Sequence, residues 1–187
     1  MPKVSKPDRI QLRDDLLKIY AINDAMNQLL LAYLDRRVWR AQPPGVSGRG
    51  GRTLAAIFAH LHNVRLNWLR NSAPHLKRPA SLDGHRCTMK QAAAAHKKSG
   101  RLCLQMLMDA LSDDRKRRVK KFTRDAWMPT WPAGAAMWAY MFSHEAHHRG
   151  QILMLAHQFG CRLPAEATGG IWWWDKLWKQ QGLKRPR

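Results

Sequence analysis

The stretch AGAAMWAYMFSHEAHHRGQILMLAHQF, residues 133–159, decides the reading of this chain. It carries no internal proline, is bounded by Pro132 and Gly160, and reads as one long helix from about Ala133 to Phe159. Each residue advances about 100° around a helix. With His144 at 0°, Leu155 and Met137 fall near 20°, His148 near 40° and Met141 near 60°, and Gln151 falls at about −20°. Two imidazoles four residues apart therefore share a mostly apolar stripe. One buried histidine is ordinarily a satisfied core residue. Two on one stripe both need partners and both resist protonation, which makes a shared metal ion as good an account as packing. His147 lies on the shoulder of the stripe and His157 on the opposite face.

Three more helices are expected upstream. The first runs from about Asp8 to Asp35, with Leu16, Ile19, Tyr20, Ile22, Met26, Leu29, Leu30, Tyr33 and Leu34 at three-to-four spacing. The segment Ala41 to Gly51, with two prolines and four glycines, reads as a loop. The second helix runs from about Thr53 to Arg70. The third starts at Thr88, where Thr88 and Gln91 have the capping-box form, and ends near Leu111. Residues 112–133 read as a basic loop, and a short helix is expected around Trp172 to Lys179. Links longer than about ten residues exceed those of simple up-and-down bundles. The expectation is an all-α four-helix bundle over residues 1–165 with at least one crossover, and a Trp-rich basic extension, 166–187, packed on it.

The second helix contains TLAAIFAHLHNVRLNWLR. With His60 at 0°, Val64 and Ile57 lie at about 40° and 60°, whereas His62 lies at about 200°. Helix phase thus selects His60 as the third ligand candidate and expects His62 in solvent. Three imidazoles, His60, His144 and His148, leave coordination positions open for water or substrate, as catalytic rather than structural metal requires. A coordinated water or thiol would ionise near neutral pH. Glu145, at about 100°, is read either as a general base toward that water or as a rim carboxylate; Gln151 is read as hydrogen-bonding a ligand or a histidine nitrogen. Arg149 is expected to point away, into a salt bridge or a dimer contact.

HEAHH also matches the zinc-protease pattern HExxH literally. The extended signature fails at Gln151 and Met154, and Glu166 beside Pro164 offers poor helical context for a further ligand. Proteolysis is set aside.

These residues resemble the DinB/YfiT-like superfamily of metalloenzymes. The resemblance is carried by His60 and Trp68 in AHLHNVRLNWL and by His144, His147, His148, Arg149, Gly150 and Gln151 in HEAHHRGQI, and it covers roughly residues 15 to 165. It is closest to members known as damage-inducible proteins. It implies a four-helix bundle with a crossover, His60, His144 and His148 as ligands of a divalent ion such as zinc or nickel, a homodimer, and low-molecular-weight thiols as co-substrates in some relatives. The function expected is a metal-dependent transferase or hydrolase that uses a coordinated water or thiol against a small electrophile.

Composition frames this reading. The chain has 187 residues and a net charge of +20. With 45% hydrophobic residues it can build a core despite that charge. It carries no apolar run long enough to span a bilayer and no apolar N-terminal leader, and its cysteines, Cys87, Cys103 and Cys161, are odd in number and unpaired in spacing. A cytoplasmic protein with free thiols, without membrane association, is expected. The basic residues gather at Arg36, Arg37 and Arg40, at Arg115 to Lys121, and in the C-terminal LKRPR. That surface invites anionic small molecules. The alternative reading is a non-enzymatic, stress-associated module with weak, non-specific nucleic-acid binding. The four tryptophans of IWWWDKLW are expected to pack over the bundle, since their joint exposure would be costly.

Overall fold

The structure, a computed structural model, describes residues 6–42, 52–113 and 117–180. Helix α1 spans Lys6–Tyr33, α2 Leu54–Ser72, α3 Met89–Leu111 and α4 Ala135–Gln158. Each of α1 and α2 packs against both α3 and α4. Chain neighbours α1 and α2 therefore sit across the diagonal of the bundle, as do α3 and α4, which is the crossover that the long links require. The loop expected between Ala41 and Gly51 lies outside the described residues from position 43 onward, as does the C-terminal LKRPR.

The helix starts follow local chemistry. Thr53 Oγ1 accepts from the Ala56 amide at 3.1 Å and caps α2. Thr88 and Gln91 close the capping box of α3 in both directions. Helix α4 begins two residues later than expected. The Ala133 amide donates to the Lys120 carbonyl at 3.1 Å, and Pro132 belongs to a short strand. Gly134, at φ 153°, makes the turn into the helix. Gly160, at φ 70°, ends it, as the sequence indicated.

Two corrections concern the links. Residues 112–133 are not simply a loop: β1, Lys121–Phe122, pairs antiparallel with β2, Trp131–Pro132, in the register Lys121 opposite Pro132 and Phe122 opposite Trp131. The pairing brings Phe122, fully buried, against Trp68. The tail also holds two short helices rather than one, α5 Ala165–Gly170 and α6 Trp174–Gln180. Pro164 starts α5 instead of preventing it. Its carbonyl accepts from the Ala167 and Thr168 amides, and its missing N–H falls where none is needed. Both helices lie on α1. The approach is close enough that a Cβ at Gly170 would lie 2.7 Å from Leu29 Cδ2. Ile171 and Leu177 are buried and Trp174 partly so, whereas Trp172 is 78% exposed, so the tryptophans are not uniformly covered.

The core is divided. One apolar cluster gathers Ile22, Leu30, Leu54, Phe58, Ile152 and Ala156; the other gathers Tyr20, Trp68, Met106, Phe122, Met137 and Met141. Between the two, on α2, α3 and α4, lie His62 and Arg65, His96 and Ser99, and Glu145, His148 and Arg149. The candidate site sits at this polar level, where α2 meets α4. Among the described residues no helix is long and apolar enough to cross a membrane.

Candidate metal centre

Helix α2 carries His60, and α4 carries His144 and His148. Their ring centroids are 5.5 Å apart for His60 and His144, 4.8 Å for His60 and His148, and 4.7 Å for His144 and His148. One ligand atom from each lies within 4.8 Å of the others, a cluster that can hold a metal ion. The rings are half-buried or buried. Burial, together with the His148 ring and Arg52, pulls His60 down to about 4. Burial, with His148 and His60, pulls His144 down to about 4 as well. Burial is also the main cause that lowers His148. At neutral pH all three are uncharged imidazoles, the form a cation binds.

Two further observations fit a cation. His144 Nδ1 is sealed from solvent and has no hydrogen-bond partner among the described residues. Such an atom is costly unless something fills its lone pair or takes its proton. His148 Nδ1 lies 2.7 Å from Gln151 Oε1, so it donates its proton there and leaves Nε2 with a free lone pair. Gln151 Nε2 in turn lies 3.0 Å from His147 Nε2. Gln151 thus makes the hydrogen bond that its helix phase suggested. Aromatic rings wall the site: Trp68 meets His144 edge-on at 5.5 Å and Tyr140 stacks on it at 6.2 Å.

Glu145 is not at the rim. It is fully buried. Its Oε1 accepts from Tyr20 Oη at 3.0 Å and Arg65 Nε at 2.8 Å. Its Oε2 accepts from Asn23 Nδ2 at 2.7 Å, Asn27 Nδ2 at 2.6 Å and Arg65 Nη2 at 2.7 Å. Burial alone would raise this carboxyl, but Arg65, Arg149 and Tyr20 overturn that and hold it at about 2. Such a carboxylate is neither exposed nor a proton acceptor near neutral pH, so both readings of Glu145 give way to a structural anchor.

Other expectations change too. His62 is fully buried rather than solvated, with Nδ1 3.1 Å from Ser99 Oγ and Nε2 3.0 Å from the Ala80 carbonyl. Arg149 does leave the metal side, but it forms no ion pair among the described residues; Nη1 donates to Asn27 Oδ1 at 3.1 Å. The sequence reading passed over Asn23, Asn27 and Arg65. A signal existed: Asn23 and Asn27 sit three and seven residues after Tyr20, on the stripe of α1 that faces the core. The three cysteines are free, and two of them are buried.

No curated protein and no solved structure matches the chain. The sequence model of the DinB family matches residues 15–177, a span that holds α1 from its third turn onward, all three histidines and the first half of α6. The chain belongs to the DinB family.

Proposed function

We propose that this chain is a divalent-metal protein whose His60, His144 and His148 hold the ion, zinc or nickel, and that it transfers a thiol to, or hydrolyses, a small electrophile in the cytoplasm, as a homodimer. The convergence of three neutral imidazoles from two helices carries this reading. When bound, a divalent ion supplies Lewis acidity that lets a coordinated water or low-molecular-weight thiol act as an anion near neutral pH.

The chain's own residues do the rest. Gln151 fixes the tautomer and orientation of His148. Trp68 and Tyr140 pack against His144 and shield that side of the site from water. Arg65 and Glu145 clamp α2 to α4, and with them the relative height of His60 and the α4 pair. Arg52 lies near His60 and His148 and adds positive charge there, which favours an anionic substrate or thiol. Uncharged ligands favour the same, because they leave the cation's charge uncompensated.

The non-enzymatic nucleic-acid reading has less support. In the cluster of Arg36, Arg37 and Arg40, Arg37 is paired with Asp35, and Arg40 donates to the Arg86 and Cys87 carbonyls.

The deciding experiment is elemental analysis of untagged protein purified without a nickel column, followed by a panel of thiols against a model electrophile such as monobromobimane. Stoichiometric zinc or nickel with metal-dependent turnover is the expected result. Protein that neither retains nor takes up a divalent ion overturns the reading.

A further inference from the structure

The opposite face of α4 carries a second feature. Arg149 and Phe142 lie at about 140° and 160° from His144 around the helix, and Leu153 at about 180°, so all three turn away from the metal candidates. There they line a pocket of about 460 Å³, which Ile171 and Trp174 of the tail also line. Its walls are apolar except for Arg149. Pockets of this size take small organic molecules.

Arg149 is the unusual member. The residue is only 7% exposed. Its Nη1 donates to Asn27 Oδ1 at 3.1 Å and to the Asn23 carbonyl at 3.4 Å, both uncharged acceptors. Its Nε and Nη2 make no hydrogen bond among the described residues, and no carboxylate there reaches ion-pair distance. The nearest acidic group in the network, Glu145, already accepts five hydrogen bonds, two of them from Arg65. Glu145 acts on the Arg149 charge without an ion-pair contact, and a guanidinium edge with two donors free of hydrogen bonds matches a carboxylate. The free donors are not sealed from solvent, and Arg149 lines this pocket.

We propose that this pocket binds a small carboxylate with an apolar body, its oxygens on Arg149 and its hydrocarbon part against Phe142, Leu153, Ile171 and Trp174. Gly150 keeps the entrance open: a Cβ built there meets nothing within 4 Å. The neighbouring Trp172, 78% exposed, is the kind of apolar surface that marks a binding edge. The proposal does not depend on the metal.

The test is calorimetric titration of the full chain with octanoate, with octan-1-ol as the uncharged probe. Octanoate is expected to bind saturably and at least about tenfold more tightly than the alcohol. Gly150→Leu places a side chain in the entrance without opening a core cavity, and is expected to weaken octanoate at least about tenfold while leaving the thermal transition in place. Arg149→Met is expected to abolish the preference for octanoate over the alcohol. EDTA-treated protein is expected to bind octanoate as before. Equal affinity for the alcohol overturns the proposal, as does unchanged binding in Gly150→Leu. Loss of binding on EDTA treatment also overturns it, because the carboxylate would then sit at the metal. So does a dimer that Gly150→Leu dissociates while octanoate gives no heat, because the face is then covered by a second copy.

Discussion

Arg65 holds Glu145 across the α2–α4 interface through two parallel hydrogen bonds, Nε to Oε1 at 2.8 Å and Nη2 to Oε2 at 2.7 Å. Arg65 follows His60 by five residues on α2, and Glu145 follows His144 by one on α4. The paired fork therefore fixes how far along one another the two ligand-bearing helices sit. Bidentate pairing constrains direction as well as distance, which a purely apolar contact does not.

Removing one partner from such a pair leaves an uncompensated buried charge. Glu145→Gln should cost about 3–5 kcal/mol of stability, read as a lowered urea midpoint. A general base at the rim would behave differently, with stability near wild type and loss confined to turnover. A Glu145→Gln protein that unfolds at the wild-type urea concentration would remove the anchoring role.

Metal retention should follow the three rings. His60→Ala and His148→Ala should each reduce bound zinc or nickel from about one ion per chain to well below it, because two imidazoles leave a weak site. His62→Ala changes a histidine of the same helix that bonds Ser99 and the Ala80 carbonyl instead. It should lose stability, by about 1–3 kcal/mol for the groups left unsatisfied, yet keep its metal. Equal metal loss in His60→Ala and His62→Ala, at equal folded fraction, would count against the assignment.

The contrast between those two histidines shows what the sequence made legible. Helix periodicity placed all four main helices and brought His60 to the same side as His144 and His148, because apolar residues outnumber polar ones on those stripes. The same phase sent His62 to solvent and left Glu145 as either a general base toward the metal-bound water or a carboxylate at the rim. It failed because the bundle carries a polar layer between two apolar clusters, where Arg65, Asn23, Asn27 and Tyr20 satisfy Glu145. That satisfaction joins three helices, α1, α2 and α4, with partners up to 125 residues apart in the chain. The β1–β2 ladder escaped for a related reason: two residues per strand are too few to show an alternation, and Phe122 is held by Trp68 from α2.

Acid should destabilise the metal-free protein earlier than its carboxylates alone would predict. Burial, with Arg65 nearby, drives His96 down to about 3, and burial with neighbouring histidines holds His144 at about 4. Unfolded, each imidazole takes a proton near 6.5. Between those limits the unfolded chain binds more protons, so stability is complete above about pH 6.5 and falls as pH drops. His96 alone contributes a loss of about 2 kcal/mol by pH 5. Glu145 works in a lower window: held at about 2 when folded, its contribution is intact down to about 4.5 and fades below. Urea titrations of EDTA-treated protein from pH 7.5 to 4 should show this early decline, and His96→Gln should flatten it. A stability that stays level from pH 7.5 to 5 would be incompatible with buried neutral histidines.

The last prediction concerns the hydrogen bond behind the site. Gln151 Oε1 accepts a hydrogen bond from His148 Nδ1–H at 2.7 Å, and Gln151 Nε2 donates to His147 Nε2 at 3.0 Å. The amide thereby keeps His148 Nε2 deprotonated and holds the ring's orientation. Gln151→Ala removes both effects and should weaken metal binding by about 10–100-fold, measured by competition with a chromophoric chelator. Gln151→Glu keeps an acceptor at Nδ1, so it should bind metal at least as tightly as wild type despite the lost His147 contact. His147→Ala touches only the second link and should change affinity far less than Gln151→Ala. If Gln151→Glu were as weak as Gln151→Ala, packing rather than the hydrogen bond to Nδ1 would be what Gln151 provides.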